Sequence, residues 1–322
     1  MKGTLETLES INRTFEKSMP LFAPLGVTLG VFFPSIFLEL KPYVPWVFGL
    51  ITLAGALKLQ ARELVKAISS PMPLLFFFFS AHVLMPLIVF FVSSLVFPND
   101  PDIVSGYVLL YSVPTAVTSS IWVSIYRGDL ALCLTLILLD SVLAPVIVPG
   151  TVKLLLGTSI SFNMTGIIIS LIFMVAIPTI VGVTLNETSR GKIPALINPW
   201  LNPISKICIV LVVAPNAAAA APKIHPENPL LWAVIIFCIS FSALGFCCGK
   251  LTGLAGKFKK EKQITTMFIV GFRNTSAAMT LGTEFFPGSA ALPAVLGIMF
   301  QQMIAGIMGR ILLGKRSGDK AE

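Results

Sequence analysis

Charge is what this chain has least of. Only 12% of its 322 residues are charged, against roughly 25% in an ordinary soluble domain. Hydrophobic residues make up 55% of it, and the mean hydropathy is +0.89. A soluble fold could not hide that much apolar surface, so the composition implies an integral membrane protein. Other absences exclude function classes. No nucleophile stands beside a base, and there is no HExxH pair or acidic metal cluster, which argues against an enzyme. No nucleotide-binding motif is present, which argues against an ATP-driven process on this chain. The five cysteines, Cys133, Cys208, Cys238, Cys247 and Cys248, all fall in apolar runs. Their spacing fits neither a disulfide framework nor a zinc site.

What is there is a series of apolar runs near the roughly 20 residues a helix needs to cross the hydrocarbon core. Ten can be counted, near residues 19–38, 44–59, 71–97, 102–126, 129–155, 163–185, 203–222, 229–253, 262–286 and 290–314. The first is not read as a cleavable signal, because the next follows within a few residues and no small-residue cleavage pattern intervenes. The net charge of +8 would suggest nucleic acid in a soluble protein. Here the basic residues sit in short loops and set orientation, so no nucleic-acid partner is expected. With the N-terminus in the cytoplasm, the outer segments hold only Lys41, Lys153 and Lys223, and Arg273 lies within a run. The rest of the 23 Lys and Arg fall inside. The outer loop "FPNDPD" is acidic. The pattern implies ten spans of an inner, cell-membrane protein with both termini cytoplasmic, and the basic "KFKKEKQ" connection is expected to meet lipid head groups.

Two stretches repeat one order of features. "YSVPTAVTSSIWVSIYRGDLALCLTLILLDSVLAP" carries a helix breaker, small hydroxyl residues, a short turn at Gly128 and another apolar run. "VGFRNTSAAMTLGTEFFPGSAALPAVLGIMFQQMIAG" does the same, and both Pro114 to Gly128 and Asn274 to Gly288 span 14 residues. An odd number of spans per half forces the halves into opposite orientations. The expected fold is therefore an all-α integral membrane protein of ten helices in two inverted five-helix repeats, residues 1–160 and 161–322, with the fourth and ninth helices broken. Such breaks are a mark of secondary transporters, where freed backbone groups hold substrate and ions.

Those stretches, with "HVLMPL" in the third run, resemble the bile acid:sodium symporter family over about residues 19–314. The resemblance implies a panel domain of helices 1, 2, 6 and 7 and a core domain of helices 3–5 and 8–10. It also implies that helices 4 and 9 cross at the centre, forming ion sites beside a cavity for organic anions. The family's sodium ligands are largely missing here. Its ninth-helix glutamate and glutamine fall on Ile269 and Arg273, its fifth-helix polar pair on Cys133 and Ile137, and its third-helix glutamine on Ala81. Ser119 is kept, Ser120 replaces an asparagine, and the pair Asn274 and Thr275 remains. A hard cation wants several oxygens, so sodium at both family sites is not expected. Ser119, Ser120, Asn274 and Thr275 form at most one residual site.

Arg273 would then stand where the family holds its cation. A buried charge in a membrane should meet a partner or a cavity, and two partners are open: Asp140 in the fifth run, or an anionic substrate gripped by the guanidinium. His82 is either a proton carrier or a packed, hydrogen-bonded residue. Asn216 is either a substrate contact or a close-packing residue. Thr115, Thr118 and Gln301 complete the expected polar lining, with Gln301 corresponding by the repeat to Asp140.

The reading is a secondary carrier of an organic anion, a carboxylate or bile-acid-like solute, working by alternating access without sodium. A conventional sodium symporter using one residual site is the alternative. Arsenite-type efflux, whose carriers have a cysteine where this chain has Thr115, and a channel both rank lower. The expected partners are the small organic anion and membrane lipid, with no cofactor and a chain that is a monomer or weak oligomer.

Overall fold

The computed structural model describes residues 2–60, 71–157 and 162–314. The repeat boundary at 160/161 and the basic residues Arg62, Lys66, Lys315, Arg316 and Lys320 lie outside the described residues. Within them the chain is all helix, with no strand. The helices are α1 (Lys2–Phe32), α2 (Pro34–Leu38), α3 (Val44–Ala56), α4 (Pro71–Phe79), α5 (Met85–Val96), α6 (Pro101–Ser112), α7 (Ser119–Ile125) and α8 (Leu130–Leu156). They continue as α9 (Met164–Leu171), α10 (Ile177–Thr188), α11 (Lys192–Ala220), α12 (Pro229–Ala255), α13 (Lys260–Gly271), α14 (Thr275–Phe285) and α15 (Leu292–Leu313).

Among the described residues, six stretches are long and apolar enough to cross a membrane: Pro71–Val96, Leu130–Leu156, Met164–Thr188, Lys192–Lys223, Pro229–Ala255 and Leu292–Leu313. The other four apolar runs correspond to shorter helices: the end of α1 with α2, then α3, the α6–α7 pair and the α13–α14 pair. Several helix starts follow from local chemistry. Asp129, Asn163, Asn228 and Asn274 each accept a backbone N–H of the first turn, supplying donors that a helix leaves unpaired.

Two wide turns have a common cause. Between α4 and α5 the backbone takes an i→i+5 turn over Ser80–Leu84, with Met85 N–H donating to the carbonyl of Ser80. Between α9 and α10 the same occurs over Ile172–Ala176, with Ile177 N–H donating to Ile172. Pro86 and Pro178 follow one residue later. In that register the next donors would serve the carbonyls of Ala81 and Phe173, but proline has no N–H. The sequence signatures "LMP" and "AIP" therefore each free one carbonyl inside an apolar helix.

Helices α1, α3, α10 and α11 pack on one another, as do α12 with α13 and α15, α5 with α6, and α14 with α15. Close approach of α12 to α13 depends on Gly249, where a Cβ would lie 2.5 Å from the carbonyl oxygen of Thr266 and 2.7 Å from Cα of Met267. Small residues of this kind let helix backbones meet in membranes. In the turn after α7, Arg127 (φ 59°) takes the left-handed conformation, with Gly128 following it, whereas Gly288 (φ 59°) takes it in the second half.

Candidate functional site

Two helices break, and the breaks meet. Val113 is extended (φ −62°, ψ 155°), as a residue before proline prefers, so α6 stops at Ser112 and α7 starts only at Ser119. The second break runs from Phe272 to Asn274, with Phe272 also extended. Each interruption exposes backbone groups that no water could satisfy in an apolar surround, and the two satisfy each other. Asn274 N–H donates to the carbonyl of Pro114 (2.9 Å). The Thr115 hydroxyl donates to the carbonyls of Ile269 (2.8 Å) and Phe272 (3.0 Å). Asn274 also caps α14 through Ala277 N–H (3.2 Å).

Arg273 sits in the second break and is only 1% exposed. Its Nη2 donates to the carbonyl of Ala81 (2.8 Å) and its Nη1 to that of Val113 (3.4 Å). The first is the carbonyl that Pro86 leaves without a donor; the second lies at the lip of the first break. No ion pair joins Arg273 to Asp140 among the described residues, although the two charges interact through space. Asp140, fully buried, instead takes the N–H of Thr115 on Oδ2 (2.7 Å). Its Oδ1 lies 2.7 Å from Nε2 of His82, close enough for an ion pair but off the line of a hydrogen bond. The His82 ring stacks on Phe78 at 5.7 Å. The arginine and the aspartate thus meet the same two segments, residues 81–82 and 113–115: Arg273 through two carbonyl acceptors, Asp140 through the Thr115 N–H and its close approach to His82.

The other expected lining residues separate into two groups. Gln301 joins the cluster: its Nε2 donates to the carbonyl of Arg273 (2.9 Å), and its Oε1 accepts from the Thr275 hydroxyl (3.3 Å). A cavity of about 10 Å³ lies between Arg273, Thr275, Gln301, Tyr111 and Ser242, room for about one water. Arg273 Nε and the Ser242 hydroxyl face it without a hydrogen-bond partner. Ser119 and Ser120 are turned elsewhere. The Ser119 hydroxyl lies against Cys133 Sγ (3.8 Å), and Ser120 donates to the carbonyl of Val117 (2.8 Å). Thr118 precedes α7 without capping it. Ile137 and Ile269 are fully buried, as are the apolar atoms of Ala81.

Asn216 lies apart from the breaks. Its Nδ2 donates to Thr280 Oγ1 (2.9 Å) and to the carbonyl of Val212 (2.9 Å), and its Oδ1 accepts from the Thr283 hydroxyl (2.8 Å). It therefore ties α11 to α14. Beside this link a cavity of about 100 Å³ opens between Lys41 and Lys223, and Lys41 Nζ reaches the carbonyl of Thr283 (3.2 Å). The sequence reading missed Thr280, Thr283 and the carbonyl of Ala81. Only the last had a signal in the sequence, the proline at 86.

The model of the SBF-like CPA transporter family matches residues 29–313. An uncharacterized Bacillus subtilis protein, YbaS, is 37% identical over 295 residues, which is 91% of this chain and 96% of the relative. A second B. subtilis protein, named as the uncharacterized sodium-dependent transporter YocS, is 23% identical over 98% of both chains. The probable sodium/metabolite cotransporter BASS1 of Arabidopsis thaliana chloroplasts is 26% identical over 98% of this chain and 77% of the relative. An all-helical chain with six membrane-length apolar stretches, matched over nearly its whole length by one family model, is a transporter and not an enzyme, and it belongs to the SBF-like CPA transporter family.

Proposed function

We propose that this protein is a secondary carrier of a small organic anion, working by alternating access without sodium, with Arg273 standing in for the coupling cation. The carrying observation is the hold of the Arg273 guanidinium on the backbone carbonyls of Ala81 and Val113. A bound cation draws carbonyl oxygens from separate helices in the same way, and a permanently charged side chain does so with nothing to bind or release. The side-chain oxygens left for sodium are few. Ser119 faces a thiol, Ser120 and Asn274 are occupied by their own backbone, and the neighbouring positions are isoleucine, cysteine and alanine.

Positive charge favours an anion as the solute. Lys41 and Lys223 flank the cavity of about 100 Å³, which has the size of a small carboxylate. The wider architecture in this reading is ten spans in two inverted repeats, with the α6–α7 and α13–α14 pairs as the fourth and ninth spans. The mutual packing of α1, α3, α10 and α11 supports a panel distinct from the core. Both termini are cytoplasmic in this reading, in the cell membrane.

Uptake into proteoliposomes of labelled pyruvate, succinate and taurocholate, with sodium or choline outside, tests the reading. Saturable uptake of at least one anion at equal rates in both salts is expected. The names of two relatives carry sodium, and stimulation by sodium with sub-millimolar affinity in calorimetry would give this chain the residual site and reject the arginine substitution.

A further inference from the structure

We propose that His82 and Asp140 form a proton-binding site, so that the carrier moves one proton with each anion; this rests on the reading of the chain as an anion carrier. His82 Nε2 and Asp140 Oδ1 lie 2.7 Å apart, both residues buried, in the middle of long apolar helices. A carboxylate and an imidazole brought together there are an expensive arrangement to keep, and in membranes such groups mark ion and proton pathways. The local structure is built to hold them. The wide turn over Ser80–Leu84 swings His82 onto Asp140, and Thr115 N–H fixes the other carboxylate oxygen at 2.7 Å.

The site has a place for one more proton. Both ring nitrogens are buried without a hydrogen-bond partner, so with the neutral ring's proton on Nε2, beside Asp140 Oδ1, Nδ1 stays open. An added proton binds Nδ1, and the resulting imidazolium lies against the carboxylate on one edge and the face of Phe78 on the other. A carboxylate can pair with that charge, and an aromatic face can stack on it. The other charged or titratable groups at this junction, among the described residues, are Arg273, which acts on Asp140 through space, and Tyr111, which acts on Arg273. Cys133 lies two turns before Asp140 on α8.

The charges then dictate coupling. Arg273 and Asp140 cancel while His82 is neutral, and one proton leaves the cluster with a single positive charge. The lysine-flanked cavity lies apart from this cluster, so the added charge attracts an anion there through space across the protein interior. Proton and anion therefore promote each other's binding, and one proton with a monoanion adds no net charge to the carrier.

The chain has two histidines, which makes the test specific. The second, His225, is exposed beside Glu227, so His225→Gln leaves His82 alone in imidazole nitrogen NMR of the protein in lipid nanodiscs. The expected result is one ring passing from the neutral to the imidazolium pattern as the pH is lowered, with Asp140→Asn moving that transition. In proteoliposomes, uptake of the same three labelled anions should rise about fivefold or more when the outside is more acid than the inside. Clamping the membrane potential should not change uptake of the monoanions pyruvate and taurocholate, and His82→Gln should lose the gradient response. A ring that stays neutral throughout, or uptake indifferent to the proton gradient, overturns the proton site while leaving the anion carrier standing. Uptake of none of the three anions under any gradient overturns the carrier reading itself, and the coupling falls with it.

Discussion

Arg273 and Asp140 do not touch, yet they close on one turn of backbone: Arg273 takes the carbonyl of Val113, and Asp140 takes the N–H of Thr115, two residues later. Opposite charges that act through a shared segment are coupled less tightly than a direct pair. Arg273→Gln leaves the Ala81 and Val113 carbonyls short of donors and Asp140 without its compensating charge, and should destabilise the protein by roughly 3 to 5 kcal/mol. Asp140→Asn keeps an oxygen for Thr115 and should lose about 1 to 3 kcal/mol. The double variant should be better than the sum by about 0.5 to 3 kcal/mol, read from chemical denaturation in detergent. Strict additivity would mean that the shared turn transmits nothing.

Asn216 is a link and not a free ligand, because both of its amide atoms are already bonded to α14. Asn216→Ala should remove two interhelical hydrogen bonds, a loss of about 1 to 3 kcal/mol, and loosen α11 from α14. With Ser289→Cys as a reporter beside the lysine-flanked cavity, a membrane-impermeant maleimide should label the Asn216→Ala variant faster than its parent. Equal rates would show that the link does not hold the cavity closed.

The breaks were legible in the sequence because their causes are local. Pro114 forces Val113 into an extended backbone, and the polar run from Arg273 to Thr275 interrupts an apolar stretch with a capping asparagine. The contact of His82 with Asp140 was not legible. A regular helix turns 100° per residue, so the one extra residue in the wide turn before Pro86 rotates everything beyond it relative to the residues before it. Helical counting from the sequence therefore misjudges which face His82 shares. The same turn explains the partners of Arg273: a hydrogen bond to a backbone carbonyl depends on which carbonyl lacks a donor, and side-chain chemistry does not reveal that. Asn216 could be read equally as ligand or packing residue, because its partners Thr280 and Thr283 lie more than sixty residues away.

Gly249 should tolerate no side chain. A methyl group there meets the backbone of Thr266 and Met267, which cannot retreat as a side chain would, so Gly249→Ala should cost about 1 to 3 kcal/mol. Gly150 is the matched control: nothing lies within 4 Å of its Cβ position, and Gly150→Ala should be neutral or stabilising by up to about 1 kcal/mol. Thermal unfolding of the two variants side by side separates the packing effect from helix propensity.

The orientation inferred from lysine and arginine is open to direct test. A reporter fused after Lys262 should read as cytoplasmic, and one inserted in "FPNDPD" as external. An external signal at Lys262 would break the ten-span reading.

The two prolines that follow the wide turns give the molecule one stiff rod and one supple one. At Ala81 the missing rung of the hydrogen-bond ladder is filled by a guanidinium from another helix, so flexing α4 against α5 pulls directly on Arg273. At Phe173, among the described residues, no side chain takes the vacated role. Bending between α9 and α10 stretches no side-chain hydrogen bond at that carbonyl, so this turn should yield more easily than the one at Ala81.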